Sequence, residues 1–243
     1  MSKTILITGA STGLGAETAR CLAEGNRIFV HYNESAEPAE QVAAAVEKSG
    51  GQAFLLQADL SREEGCHSLV SGVAEKTDKI DVLVNNAGGL IKRNTVRDYE
   101  WELMQQVFAL NTFSAMMLTS LCIPLLEKGD DPCIINVTSV AIRHGAPTAT
   151  FYGAAKAALD SFTRGIAKEL APSIRVNSVA PGVIITPFHD KVSTQEQLDA
   201  WVKNTPLKRH GDPAHIAKTI AFIIANDFIN GESIDINGGL FMR

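Results

Sequence analysis

The stretch TILITGASTGLG, residues 4–15, joins a short apolar run to a glycine-rich turn. Thr4, Ile5, Ile7 and Thr8 are β-branched, the composition of a buried strand. Gly9, Gly13 and Gly15 then mark a tight turn, and LGAETARCLAE (14–24) has the spacing of a partly buried helix. Glycines at a strand–helix junction let backbone approach a diphosphate closely and let helix and strand pack tightly, with the helix N-terminus facing the anion. The spacing is GxxxGxG, a variant of the GxGxxG dinucleotide fingerprint. The turn therefore predicts dinucleotide binding by Gly9, Ser11, Thr12, Gly13, Leu14 and Gly15.

Outward from this turn the same rhythm repeats. Apolar runs recur at 4–8, 27–32, 53–59, 81–87, 133–139, 174–182 and 233–239, and helical patterns lie at 14–24, 36–48, 62–77 and 99–127. Continuous apolar strands alternating with helices predict an α/β fold: a doubly wound, parallel, seven-stranded sheet with helices on both faces. No linker composition interrupts the chain, so residues 1–243 read as one domain. The least regular stretch, 183–212, follows a strand end and reads as a substrate loop or lid.

The totals narrow the function classes. A net charge of −5 argues against nucleic acid or an anionic membrane as partner. Cys21, Cys66, Cys122 and Cys133 are scattered, with no CxxC pair and no Cys/His cluster, so no metal is expected and reduced thiols in the cytoplasm are the simplest reading. No apolar run approaches the roughly 20 residues that span a bilayer, and the start of the chain lacks a signal-peptide pattern.

Within FYGAAKAALDSF (151–162), Tyr152 and Lys156 stand four positions apart, one helical turn. Taken alone, the pair also fits an ordinary surface helix. Together with TGASTGLG, NNAG (85–88), Asn111, Ser139 and PGVIIT (181–186), YGAAK (152–156) resembles, in order and spacing, the compact short-chain dehydrogenase/reductase family. The resemblance spans essentially the whole chain. It implies a Rossmann-type fold, a nicotinamide cofactor and hydride transfer between that cofactor and a carbonyl or secondary alcohol.

The resemblance also implies a catalytic set of Asn111, Ser139, Tyr152 and Lys156. A developing alkoxide needs a proton, and Tyr152 is the expected general acid/base. A phenol titrates near 10, so a nearby ammonium is expected to lower it. Ser139, 13 positions before Tyr152, is expected to hydrogen-bond the reacting oxygen. Lys156 is further expected to hold the nicotinamide ribose, and Asn111 a water that links Lys156 to solvent. Tyr152 and Lys156 thus count among the cofactor-binding residues too. The others implied are Tyr32, Asn33, Asp59, Leu60, Asn86, Ala87, Gly88, Pro181, Gly182, Ile184 and Thr186.

Cofactor choice rests on what meets the adenosine 2′ position. Tyr32 stands where a carboxylate would mark NAD(H), while Thr12 and Asn33 stand where cations would mark NADP(H). His31, Asn33 and Ser35 offer hydrogen bonds to a phosphate and Glu34 opposes one; the missing carboxylate tips the balance to NADP(H). A small polar carbonyl compound, a sugar acid or a 3-oxoacyl compound, is the expected substrate. Lys92, Arg93, Arg143 and His144 are candidate anion contacts, Phe188, His189 and Trp201 a candidate pocket wall, and the final GGLFMR a segment able to reach a neighbouring subunit. Helices at 99–127 and 152–170 carry broad apolar faces, and the family resemblance implies a homotetramer or homodimer. The alternative function is a catalytically silent nucleotide-sensing regulator, which would be expected to lose Tyr152 or Lys156.

Overall fold

The computed structural model describes residues 2–187 and 192–242. Strands β1 (Thr4–Ile7), β2 (Arg27–Tyr32), β3 (Gln52–Gln57), β4 (Val82–Asn85), β5 (Cys133–Val137), β6 (Arg175–Pro181) and β7 (Ser233–Ile236) form where the apolar runs predict them. They make one sheet in the order β3-β2-β1-β4-β5-β6-β7, every neighbouring pair parallel. β1, β4, β5 and β6 are buried along their whole length. Both of their faces are covered, which is why their sequences read as mostly apolar runs, the polar exceptions such as Asn85, Asn136 and Asn177 being buried too.

Among the described residues the α-helices, in chain order, are α1 (Gly13–Cys21), α2 (Ala36–Lys48), α3 (Glu63–Ala74), α4 (Trp101–Phe108), α5 (Ser114–Leu126), α6 (Ala141–His144), α7 (Thr150–Glu169), α8 (Gln195–Asn204) and α9 (Pro213–Ala225). Strand parity sorts the core into two layers. Ile5, Ile7 and Val84 pack with Ala16 and Ala19 of α1, Val42 and Val46 of α2, and Ile216 and Ile220 of α9. Leu6, Phe29 and Leu83 point the other way, to Cys66 and Leu69 of α3 and to Leu118 and Cys122 of α5.

Two expectations are corrected here. The single helix expected at 99–127 is interrupted by a π-helical turn, Ala109–Phe113, between α4 and α5. The helical run Trp101–Leu126 is also long and apolar enough, by length and composition, to cross a bilayer, contrary to the reading that no run comes close. It is half buried inside this fold, and its Asn111, Thr112, Ser114 and Thr119 are buried against protein. It behaves as a core helix of the layer over the sheet.

The described residues of the stretch 183–212 are more regular than their sequence suggests. Ile184 bridges to Gly211, and α8 opens with a capping box in which Thr194 and Gln197 exchange side-chain and backbone hydrogen bonds.

Candidate active site

In a doubly wound sheet the ligand crevice lies outside the carboxyl ends of the strands, where strand order reverses. Here the reversal falls between β1 and β4, and a cleft of about 1050 Å³ opens there. Of the predicted cofactor residues, Gly9, Ser11, Thr12, Gly13 and Leu14 line one part of it. Asn33, Asp59, Leu60, Asn86, Ala87 and Gly88 line the adjoining wall. Pro181, Gly182, Ile184 and Thr186 border it from the β6 side, and Ser139, Tyr152 and Lys156 line it as well.

Gly15, Tyr32 and Asn111 do not line the cleft. A Cβ on Gly15 would stand 2.4 Å from the Gly9 carbonyl oxygen, so this glycine serves the close approach of α1 to the turn. Tyr32 shares the strand face of Ile28 and Val30 and packs into the core layer of α1 and α2. Asn111 lies behind the β4–α4 loop, accepting from Gly89 N–H and donating to the carbonyls of Gly89 and Val107, each at 2.9 Å.

The glycine turn is held by His31. Gly9 N–H donates to His31 Nδ1 at 2.9 Å, and His31 Nε2 lies 3.0 Å from the Ala58 carbonyl. Nδ1 is therefore the acceptor and Nε2 carries the hydrogen, a neutral imidazole. Burial drives its pKa down to about 4. With both ring nitrogens engaged, His31 is a positioning group rather than the phosphate contact expected from its place near the end of β2. Thr12, the N-cap of α1, makes no side-chain cap. The first amides of α1 thus keep their N–H groups for an anion.

At the floor of the cleft Tyr152 and Ser139 share a hydrogen bond, while Ser139 Oγ accepts from Ala141 N–H at 3.2 Å. One turn along α7, Lys156 Nζ donates to the Val137 carbonyl at 2.9 Å and lies 5.9 Å from the centre of the Tyr152 ring. Burial raises the Tyr152 phenol above its usual value, partly offset by the Ser139 hydrogen bond, and lowers the Lys156 ammonium to about 8. The expected lowering of the phenol by Lys156 is not among the causes here: desolvation governs, and only the Ser139 hydrogen bond opposes it. A Cβ on Gly88 would come within 2.7 Å of Asn111 Oδ1 and 2.9 Å of Lys156 Nζ, so this glycine keeps the space before both.

The outer end of the cleft is bordered by residues from distant parts of the chain, among them Arg93, His144, Thr148, Gln197, Trp201, Asn204 and Phe241. Thr148, Gln197, Asn204 and Phe241 went unnoticed as wall residues in the sequence. Of the four candidate anion contacts, only Arg93 and His144 line the cleft. Lys92 pairs with Glu100 at 2.7 Å, and Arg143 turns to Asp235 at 3.1 Å and Ser233 at 3.3 Å. Phe241 stacks on His144 of its own chain at 4.6 Å, so this part of the tail folds over its own cleft. Phe188, His189 and Arg243 lie outside the described residues. Burial pushes the Cys66, Cys122 and Cys133 thiols up to about 11, 12 and 11, which keeps them protonated and unreactive. No cluster of metal-ligating side chains occurs among the described residues.

Comparison with known proteins agrees with this fold. Residues 9–241 match the family model described as enoyl-(acyl carrier protein) reductase. A 3-oxoacyl-[acyl-carrier-protein] reductase of Synechocystis sp. is 37% identical over 243 residues, covering 98% of this chain and 96% of the relative. The angucycline C-6 ketoreductase LanV, solved with bound NADP, superposes with a TM-score of 0.90 at 31% identity, covering 98% of this chain and 95% of that one. An NADH-dependent reductase A1-R′, responsible for alginate metabolism, does so with a TM-score of 0.90 at 32% identity, covering 100% and 98%. The chain belongs to the short-chain dehydrogenase/reductase family and is an NAD(P)-dependent oxidoreductase. Nothing favours the silent-regulator alternative.

Proposed function

We propose that this chain reduces the carbonyl group of a small-molecule substrate, with Tyr152 as proton donor and with NADP(H) favoured over NAD(H). The observation that carries the proposal is the hydrogen-bonded Ser139–Tyr152 pair, with Lys156 one turn behind, in the same cleft as the glycine turn.

The residues present fit a nicotinamide dinucleotide: uncapped first-turn amides of α1 suit its diphosphate, and the space Gly88 preserves leaves Lys156 open to a ribose. When bound, this cofactor supplies hydride to the carbonyl carbon. Ser139 donates a hydrogen bond to the carbonyl oxygen, polarising it as negative charge builds. Tyr152 passes its proton to that oxygen. A phenol raised by burial is held protonated at neutral pH, the form that reduction requires. Lys156 orients the cofactor ribose, and Asn111 ties down the Gly88–Gly89 loop in front of it.

Asn33 and Ser35 offer hydrogen-bond partners to a 2′-phosphate, and no carboxylate faces the cleft from position 32; Glu34, also at the wall, limits the preference. Side-by-side titration of NADH and NADPH by nicotinamide fluorescence tests it, NADPH being expected to bind more tightly. For Tyr152→Phe the expected outcome is a loss of turnover of about 10²- to 10⁴-fold with cofactor affinity retained. Appreciable activity in that variant rules out Tyr152 as the donor.

The chain is further proposed to be cytoplasmic and to assemble as a homodimer or homotetramer. The four cysteines are free, and Trp101 and Phe113 are exposed on the α4–α5 layer, Phe222 and Phe228 in and after α9. Exposed aromatics grouped on helix faces suit symmetric association.

A further inference from the structure

We infer that Arg93 is the anion anchor of the cleft's outer end, and that the compound reduced here carries a free carboxylate. The inference rests on the reading of Tyr152 as proton donor.

Arg93 stands in the loop between β4 and α4 and lines the same cleft as Ser139 and Tyr152. Its Nε donates to the Val192 carbonyl at 2.9 Å, and a terminal nitrogen donates to Thr148 Oγ1 at 3.3 Å. One partner follows β6 and the other precedes α7, so two separate segments fix the orientation of the guanidinium. Five N–H donors are available to it, and among the described residues these two are the only acceptors it meets. No carboxylate among the described residues pairs with it, whereas Lys92 and Arg143 each have one.

The charges along the cleft are unevenly spread. Its carboxylates, Glu34 and Asp59, follow β2 and β3 on the adenosine side. Among the described lining residues the lysines and arginines are Lys156, committed to the Val137 carbonyl beneath Tyr152, and Arg93. A half-buried guanidinium held with open donors is favourable when an anion meets it. Its planar fork matches a carboxylate in two parallel hydrogen bonds. The stacked His144 and Phe241 form an aromatic wall at the same end, which leaves Arg93 as the group that reads charge.

The test is turnover with NADPH and with NADH on three matched pairs: acetoacetate against methyl acetoacetate, laevulinate against methyl laevulinate, and D-glucuronate against D-glucuronamide. At least one acid is expected to exceed its neutral partner about tenfold or more in kcat/KM. In Arg93→Gln that ratio is expected to fall to near one, chiefly through a rise in KM for the acid of roughly ten- to a hundredfold, the range of a charged hydrogen bond. NADPH affinity should hold, which also reports that the variant is folded. Arg93→Lys, which keeps the charge and loses the fork, should retain part of the preference. Equal rates on acids and neutral partners, a preference that survives Arg93→Gln, or no turnover of any acid by a chain that binds NADPH each overturns the anchor alone. A chain that binds neither NADPH nor NADH overturns the underlying reading and the anchor together.

Discussion

His31 sets the acid limit of the glycine turn. It accepts from Gly9 only while neutral, and burial keeps it so down to about pH 4. Unfolded, the same imidazole takes a proton near 6.5. The unfolded chain therefore binds more protons between these values, and stability falls as pH drops from about 6.5 toward 4. The contribution present above that window and lost through it is about 3 kcal/mol. Thermal melts across it should show this slope in the native chain and a flatter one in His31→Asn, whose side-chain oxygen can still accept from Gly9. An unchanged slope in that variant would assign the acid sensitivity elsewhere. His31 also shows how far a residue can be read from sequence. Its place near the end of β2 marks it for the adenosine side, but its partners, Gly9 and Ala58, are 22 and 27 positions away.

At the scale of elements, the C-terminus of α9 depends on one arginine of β6. Arg175 donates to the carbonyls of Ile223, Ile224 and Asn226, reaches Ile229, and pairs with Asp131 at 3.3 Å. The last carbonyls of a helix have no intrahelical partner, and a buried cation there satisfies several at once. Arg175→Ala should cost about 2–4 kcal/mol, read as a lowered urea midpoint. Since α9 packs on α1 behind the glycine turn, cofactor affinity should weaken only as the fold loosens. The π-helical turn makes a related point. Asn111 sits within it and bonds back to Val107 one turn earlier, while its other contacts go to Gly89. π-turns in helices frequently occur at functional sites; here the turn holds the loop that faces Lys156. α8 was legible in part: Thr194 and Gln197 are a capping box in plain sight, but no residue of the helix is buried, so no apolar stripe announces it.

For the whole molecule, the outstanding feature is apolar surface on the helical layers. Trp101 and Phe113 are 66% and 56% exposed, and Phe228 is 98% exposed. Light scattering at micromolar concentration should give a dimer or tetramer, and the double variant Trp101→Glu, Phe113→Glu should shift the mass toward the 26.1 kDa protomer. A native chain that is monomeric at that concentration would remove the assembly reading.

What the amino-acid sequence determined by itself is local or periodic. Mostly apolar runs alternating with helices specify a parallel sheet covered on both faces, because only such strands need no polar side. The glycine spacing after β1, and a tyrosine and lysine four apart, are likewise short-range patterns that helix and turn geometry convert directly into position. Strand parity even held the answer for Tyr32, which shares the core face of Ile28 and Val30. Tertiary structure alone decided which side chains meet in the cleft. Arg93 faces it and Arg143 does not, because their partners, Val192 and Asp235, lie 99 and 92 positions away. Phe241 closes over its own chain's His144 for the same reason. The direction of a long side chain is set by packing and hydrogen bonds between segments remote in sequence, and no local pattern encodes those.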